Sequence, residues 1–108
     1  MQFKTLIMKI ALEILAQLGG NKFLAMTGSV LFGTENSLKI KLRSNKAKAQ
    51  WLEITLTKMD LYTMHFYSLN SNYKVVTKVK HEEVYNDMLQ SIFTDVTGLN
   101  TSLGTLGK

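Results

Sequence analysis

An α+β domain of two layers is predicted by three features of the 108-residue chain. An apolar helical stretch opens it, strand-like segments separated by short polar turns follow, and a stretch with a clear helical period closes it. Short turns between successive strands imply an antiparallel β-meander of four to five strands, and an N-terminal and a C-terminal helix can together cover one of its faces. Length and a hydrophobic content of 45% suit a single core. The expected domain spans 1–103, with a flexible tail at 104–108.

The elements follow in order. In residues 3 to 18 the polar positions are Lys4, Thr5, Lys9, Glu13 and Gln17, a narrow stripe on an otherwise apolar helix that Gly19 and Gly20 end. So wide an apolar surface exceeds what one sheet face covers, which points either to a homodimer through this helix or to burial under the chain's own loops. KFLAMT reads as a first strand, and Gly28 to Ser37 as looser chain around VLF and TENS. Alternation then sets in: Leu38, Ile40 and Leu42 face one way, Lys39, Lys41 and Arg43 the other. After the polar turn SNKAKAQ, WLEITLT turns Leu52, Ile54 and Leu56 inward; KMD and NSN bound LYTMHFYSL. YKVVTKVK reads as the last strand, with Tyr73, Val75, Thr77 and Val79 on one face and Lys74, Val76, Lys78 and Lys80 on the other. Val84, Tyr85, Met88, Leu89, Ile92, Phe93 and Val96 then recur at helical spacing. Glu82 and Glu83 suit the first turn of that helix and Gly98 its C-terminal cap.

Charge is unevenly spread. Residues 38 to 80 hold nine Lys or Arg against two acids, whereas from His81 onward four acids face only Lys108. A basic region of this kind favours a polyanionic partner. The chain has no cysteine, which excludes disulfides, thiolate metal sites and cysteine nucleophiles and fits a reducing, cytoplasmic setting. Lys9 and Glu13 interrupt the apolar start, so it reads neither as a signal peptide nor as a membrane span.

If the helices cover the face of Leu38, Ile54, Met64, Phe66 and Val75, the opposite face carries Lys39, Lys41, Arg43, Trp51, Glu53, Thr55, Thr57, Thr63, His65, Tyr67, Lys74, Val76, Lys78 and Lys80, with Lys46 and Lys48 in the nearby loop. Cations neutralise phosphates and flat rings stack on unpaired bases, so this combination suits single-stranded nucleic acid. Phosphate contacts are expected from the lysines and Arg43, and stacking from Trp51, Tyr67 and His65. Lysines on an outer sheet face also serve solubility and edge protection with no partner at all, and Trp51 at a strand start can fold over the end of a core.

Catalytic patterns are not found. None of the eight acids has Lys two positions later, as a restriction-type nuclease strand needs, and HEEVY places Tyr85 where a HExxH zinc helix has its second histidine. His65 and His81 lie in separate elements, so neither a metal nor a cofactor is expected. GGNKFLAMTG looks at first like a phosphate-binding loop. Such a loop requires a strand before the glycines and a helix after them; here a helix leads in, and Lys22 does not have the Walker spacing.

GGNKFLAMTG, ENSLKIKL and VYNDMLQSIFTDVTGLNTSL together resemble a group of small, uncharacterised proteins encoded by bacteriophages and mobile elements, over Leu18 to Leu103. The resemblance carries no catalytic residue. It implies a phage setting in host cytoplasm, where small non-enzymatic proteins bind nucleic acid or bind and inhibit a host protein such as a defence nuclease. An inhibitor that mimics nucleic acid would present acids, here Glu82, Glu83, Asp87 and Asp95. The basic face favours direct binding of nucleic acid.

Overall fold

Gly19 and Gly20, both with positive φ, separate a first helix, α1 (Gln2–Leu18), from a second, α2 (Asn21–Thr27). The computed structural model describes residues 2 to 27 and 30 to 99. The tail at 104–108, and the predicted domain end at residue 103, lie outside them. Five strands follow, β1 (Val30–Gly33), β2 (Ser37–Lys41), β3 (Trp51–Leu56), β4 (Tyr62–Leu69) and β5 (Val75–Val84), then a 3₁₀ turn at Asn86–Met88 and α3 (Leu89–Thr97). The sheet runs β1-β2-β3-β4-β5 with every pair antiparallel, the predicted meander between terminal helices.

Two local expectations are corrected. KFLAMT is not a strand but most of α2. Asn21 to Met26 holds no β-branched residue and is rich in good helix formers, and Phe23 and Thr27, one helical turn apart, are both buried. The glycines therefore join two helices, and no strand leads into them. The first strand is instead VLFG, whose four residues pair with Leu38 to Lys41.

The helices cover one face. Ala11, Ile14 and Leu18 of α1, Phe23 of α2, and Leu89 and Phe93 of α3 meet Leu38, Ile40, Leu52, Ile54, Met64 and Phe66 of the sheet in one buried cluster. Phe23 packs edge-on against Phe93 with ring centroids 5.1 Å apart. The two buried threonines beside them spend their hydroxyls locally: Thr27 Oγ1 donates to Phe23 O at 2.8 Å and Thr97 Oγ1 to Phe93 O at 2.7 Å. Gln90 of α3 donates from Nε2 to Leu18 O at 2.8 Å, satisfying a carbonyl that the end of α1 leaves without a helical partner. Gly98, at φ 76°, caps α3 by donating to Thr94 O at 2.7 Å, as its position in the sequence predicts.

The third correction concerns β5. It runs to Val84, so Glu82 and Glu83 lie on a strand rather than in a helical first turn, and the closing helix starts at Leu89. Register shifts occur twice along the β4–β5 pair, between Phe66 and Tyr67 and between Tyr62 and Met64. At the first, Lys78 has no partner; at the second, Glu83 takes φ 55°, and the extra residues let both His81 and buried Val84 stand opposite inward positions of β4. Strict alternation from Lys80 back to Lys74 therefore fails. Thr77 stands opposite Tyr67 and Val75 opposite Leu69, on the outer face, so Val75 does not join the core. Tyr85 and Met88, expected on the apolar side of the helix, are exposed.

Candidate functional site

The uncovered face of the sheet is organised in rows that run across the strands. One row passes through Phe32, Lys39, Glu53, His65 and Lys80, a residue from each strand, each the direct partner of the next. The adjacent row holds Lys41, Trp51, Tyr67 and Thr77. A third, of Ser37, Thr55 and Thr63, is small and polar. Five of the predicted positions, Lys39, Lys41, Trp51, His65 and Tyr67, thus stand side by side on the three central strands, with Lys80 at the edge.

The aromatic groups contact one another. Trp51 tilts against Phe32 with centroids 5.8 Å apart, and His65 against Tyr67 at 4.9 Å. His65 Nε2 lies 2.8 Å from Thr77 Oγ1, so the register shift that brings Thr77 outward also orients the imidazole. Tyr67 is only 8% exposed although it faces outward, with the His65 ring packed against it. Burial, and secondarily the carboxylate of Glu53, push its phenol above the usual 10.0, so it is neutral and able to donate a hydrogen bond at physiological pH. Lys39, Trp51, Tyr67, Leu69 and Val75 line a recess of about 310 Å³.

The loop after β2 and the end of β4 brace this site. Asn45 donates from Nδ2 to Arg43 O at 2.8 Å and to Ala49 O at 2.7 Å, closing the loop on itself. Ser68 Oγ donates to Lys48 O at 3.0 Å, and Gln50 Oε1 accepts from the Leu69 N–H at 3.0 Å. Lys46 N–H reaches Thr97 O at 2.9 Å, tying the loop to the end of α3. Trp51 therefore starts from a fixed point, which lowers the ordering cost of binding a ligand there.

The remaining predicted cations are more scattered. Arg43 and Lys48 line a second recess of about 260 Å³ with Leu42, Ser44, Asn45, Ala49 and Gln50. Lys46 is exposed on the same loop, Lys74 precedes β5 in the hairpin turn, and Lys78 sits at the register shift rather than in an outer row. Lys80 is 3.7 Å from Glu82, which partly neutralises it. Phe32, 51% exposed, is a member of the site that sequence reading misses by taking VLF as loose chain; the β-branched Val30 and the ring of Phe32 itself are the available signal. Leu69 alternates with His65 and Tyr67 and was within reach of the strand pattern, whereas Val75 was missed because a register shift leaves no mark in composition.

Among the described residues no three His, Asp or Glu side chains converge as a metal centre would need, and no helix is long and apolar enough to cross a membrane. Comparison with known proteins finds no matching family, no matching curated sequence and no matching solved structure.

Proposed function

We propose that the open face of the sheet binds single-stranded nucleic acid without catalysis. The observation that carries this reading is the pairing of Trp51 with Tyr67 on neighbouring central strands, in a row begun by Lys41 and flanked by Lys39. Stacking rings supply sequence-tolerant affinity, about 1–3 kcal/mol per base, and lysines alongside supply the phosphate contacts. The resemblance to small phage and mobile-element proteins suits such a role in host cytoplasm.

Trp51 is the only tryptophan, so its fluorescence reports on this face without a label. Titration with a single-stranded oligonucleotide across a salt series should quench it, with affinity falling steeply as salt rises. Lys41→Ala should lower the slope of log affinity against log salt by about one unit. Absence of quenching at low salt would overturn the reading.

A second reading, a protein that docks on and inhibits a host protein such as a defence nuclease, is favoured by the hairpin between β4 and β5. Leu69, Tyr73, Val75 and Val76 are all exposed there. That reading expects one stoichiometric partner from host extract that survives nuclease treatment. Self-association through α1 belongs to the same proposal: Leu12 is exposed on the outer side of the helix, and sedimentation of Leu12→Glu against the unaltered chain tests it.

A further inference from the structure

The loop between β2 and β3 encloses a recess of about 260 Å³. Two of its lining residues, Leu42 and Ala49, are buried and apolar, and the rest are polar. Its chemistry depends on which of the polar groups are already spent. The carbonyls are. Arg43 O and Ala49 O accept from Asn45 Nδ2 at 2.8 and 2.7 Å, Asn45 O from the Lys48 N–H at 3.1 Å, Lys48 O from Ser68 Oγ at 3.0 Å, and Gln50 O from the Leu42 N–H at 2.9 Å. Both side-chain amide oxygens are taken as well: Asn45 Oδ1 accepts from the Ala49 N–H at 3.3 Å and Gln50 Oε1 from the Leu69 N–H at 3.0 Å.

Donors are what is left. Among the described residues no hydrogen bond or ion pair engages the Arg43 guanidinium, the Lys48 ammonium, the Ser44 hydroxyl or Gln50 Nε2. All four residues line the recess and all are exposed. The loop that carries them is held in shape. Lys48 takes φ 58°, an uncommon conformation for a lysine, and the bonds from its N–H to Asn45 O and from Ser68 Oγ to its carbonyl fix it there.

A recess whose acceptors are occupied and whose donors are open, two of them cationic, complements a ligand rich in acceptors and negative in charge. Arg43 stands two residues past the end of β2 and Lys48 three residues before β3, so the charges come from the two arms of the loop. A carboxylate offers only two coplanar oxygens to such donors. A phosphate monoester offers three, spread tetrahedrally, with a charge of about −1.5 to −2. The volume lies below the range of drug-sized pockets and suits the phosphate group rather than a whole nucleotide. We infer that the β2–β3 loop is a binding site for a phosphate monoester: Arg43 and Lys48 neutralise it, and Ser44 Oγ and Gln50 Nε2 donate to its oxygens. Trp51 follows Gln50 directly in the chain, so the phosphorylated end of a strand on the open face is one source of this group, and a free nucleotide is the other. The site itself does not rest on the nucleic-acid reading.

The test follows amide signals of the isotope-labelled protein at low salt, with thymidine monophosphate, thymidine, and short oligothymidylates with and without a terminal phosphate. Thymidine monophosphate should move the signals of Arg43 to Gln50, and thymidine should leave them in place. Arg43→Gln and Lys48→Gln should each weaken monophosphate binding about tenfold, as loss of a charge-assisted hydrogen bond does. Lys74→Gln removes a cation outside the recess and should change nothing. Loop signals that do not respond to the monophosphate, or that respond equally to thymidine, would overturn the site, and so would an equal loss in all three variants. A terminal phosphate that tightens oligothymidylate binding and moves the same signals supports the site with the strand end as its source; monophosphate binding without that gain supports it with a free nucleotide as its source. Failure of the oligothymidylate without a terminal phosphate to bind would overturn the nucleic-acid reading and not this one. The ligand comparison uses the unaltered protein, so it does not depend on how any variant folds.

Discussion

The two faces of the sheet share every strand and yet are built on opposite terms. On β3, Leu52 and Ile54 are fully buried beneath the helices, while Trp51, Glu53 and Thr55 between them stay partly open. The covered face is apolar and continuous with α1, α2 and α3, and its side chains contribute through the area they remove from water. The open face mixes cations, an acid, rings and hydroxyls that satisfy one another only in part. What is buried on one face is there to hold the fold, and what is left unsatisfied on the other is available to a ligand.

Truncation on the covered face should therefore have the largest effect. Phe66 is fully buried between sheet and helices, and Phe66→Ala should cost about 3–5 kcal/mol. That is a large share of the 5–15 kcal/mol, roughly, that holds a domain of this kind together. On β3 beside it, Thr55, the partner of Thr63, faces outward, and Thr55→Ala should change stability by less than about 0.5 kcal/mol. Urea denaturation of both variants checks the contrast, and a small loss at Phe66 would mean that the helices do not pack on this face.

Trp51→Ala should invert the pattern. The ring is half exposed and packs on Phe32 rather than in the core, so its loss should leave the fold intact by circular dichroism. Affinity for a single-stranded oligonucleotide, followed by gel retardation because the fluorophore is gone, should fall by about 1–3 kcal/mol. A Trp51→Ala variant that unfolds would make the open face a second core instead.

How far these two faces were legible in the sequence depends on what encodes each. Period-2 alternation at Leu38–Ile40, Leu52–Ile54 and Met64–Phe66 is written directly in residue type, and the meander and its inward residues follow from it. The central part of the site came with it, because the outward residues of a strand are simply the other half of the alternation. The edges were not legible. Lys78 loses its partner and Glu83 takes a left-handed conformation through backbone geometry that any residue type can mask, and so the outward residues of β5 became Val75 and Thr77 in place of Lys74 and Val76. KFLAMT was ambiguous for a different reason. A short apolar run does not distinguish helix from strand by period, and only the lack of β-branched residues and the Phe23–Thr27 spacing separate them.

Between these extremes lies the contact that closes the covered face. Gln90 Nε2 reaches Leu18 O across 72 positions of sequence, so one side chain on α3 completes the end of α1. Gln90→Ala leaves that carbonyl to water and should cost about 1 kcal/mol in urea denaturation. Oligonucleotide affinity should not change, since the contact lies on the far side of the sheet from Trp51.

An effect of opposite sign is expected where neither face is involved, at the tips of the β3–β4 and β4–β5 hairpins. Both turns use the same hydrogen bonds. In the first, Asp60 N–H donates to Thr57 O at 3.1 Å and Thr57 N–H to Leu61 O at 2.8 Å; in the second, Tyr73 N–H donates to Asn70 O at 2.9 Å and Asn70 N–H to Lys74 O at 3.0 Å. Each places one residue at φ 60°, but Asp suits that conformation and Tyr does not. Asn70 compensates by accepting on Oδ1 from the N–H groups of Asn72 at 2.8 Å and Lys74 at 3.1 Å, so the turn is held by its first residue against the preference of its fourth. Tyr73 is 84% exposed and gives up almost no packing if removed. Tyr73→Asn should therefore raise stability by about 0.5–1 kcal/mol, read as a higher urea midpoint with an unchanged slope. Oligonucleotide affinity should stay the same, because Tyr73 does not line the recess that Val75 borders. A host protein that is captured by the unaltered chain and lost on Tyr73→Asn would give this strained, exposed tyrosine a binding role and shift the weight from the basic face to the hairpin.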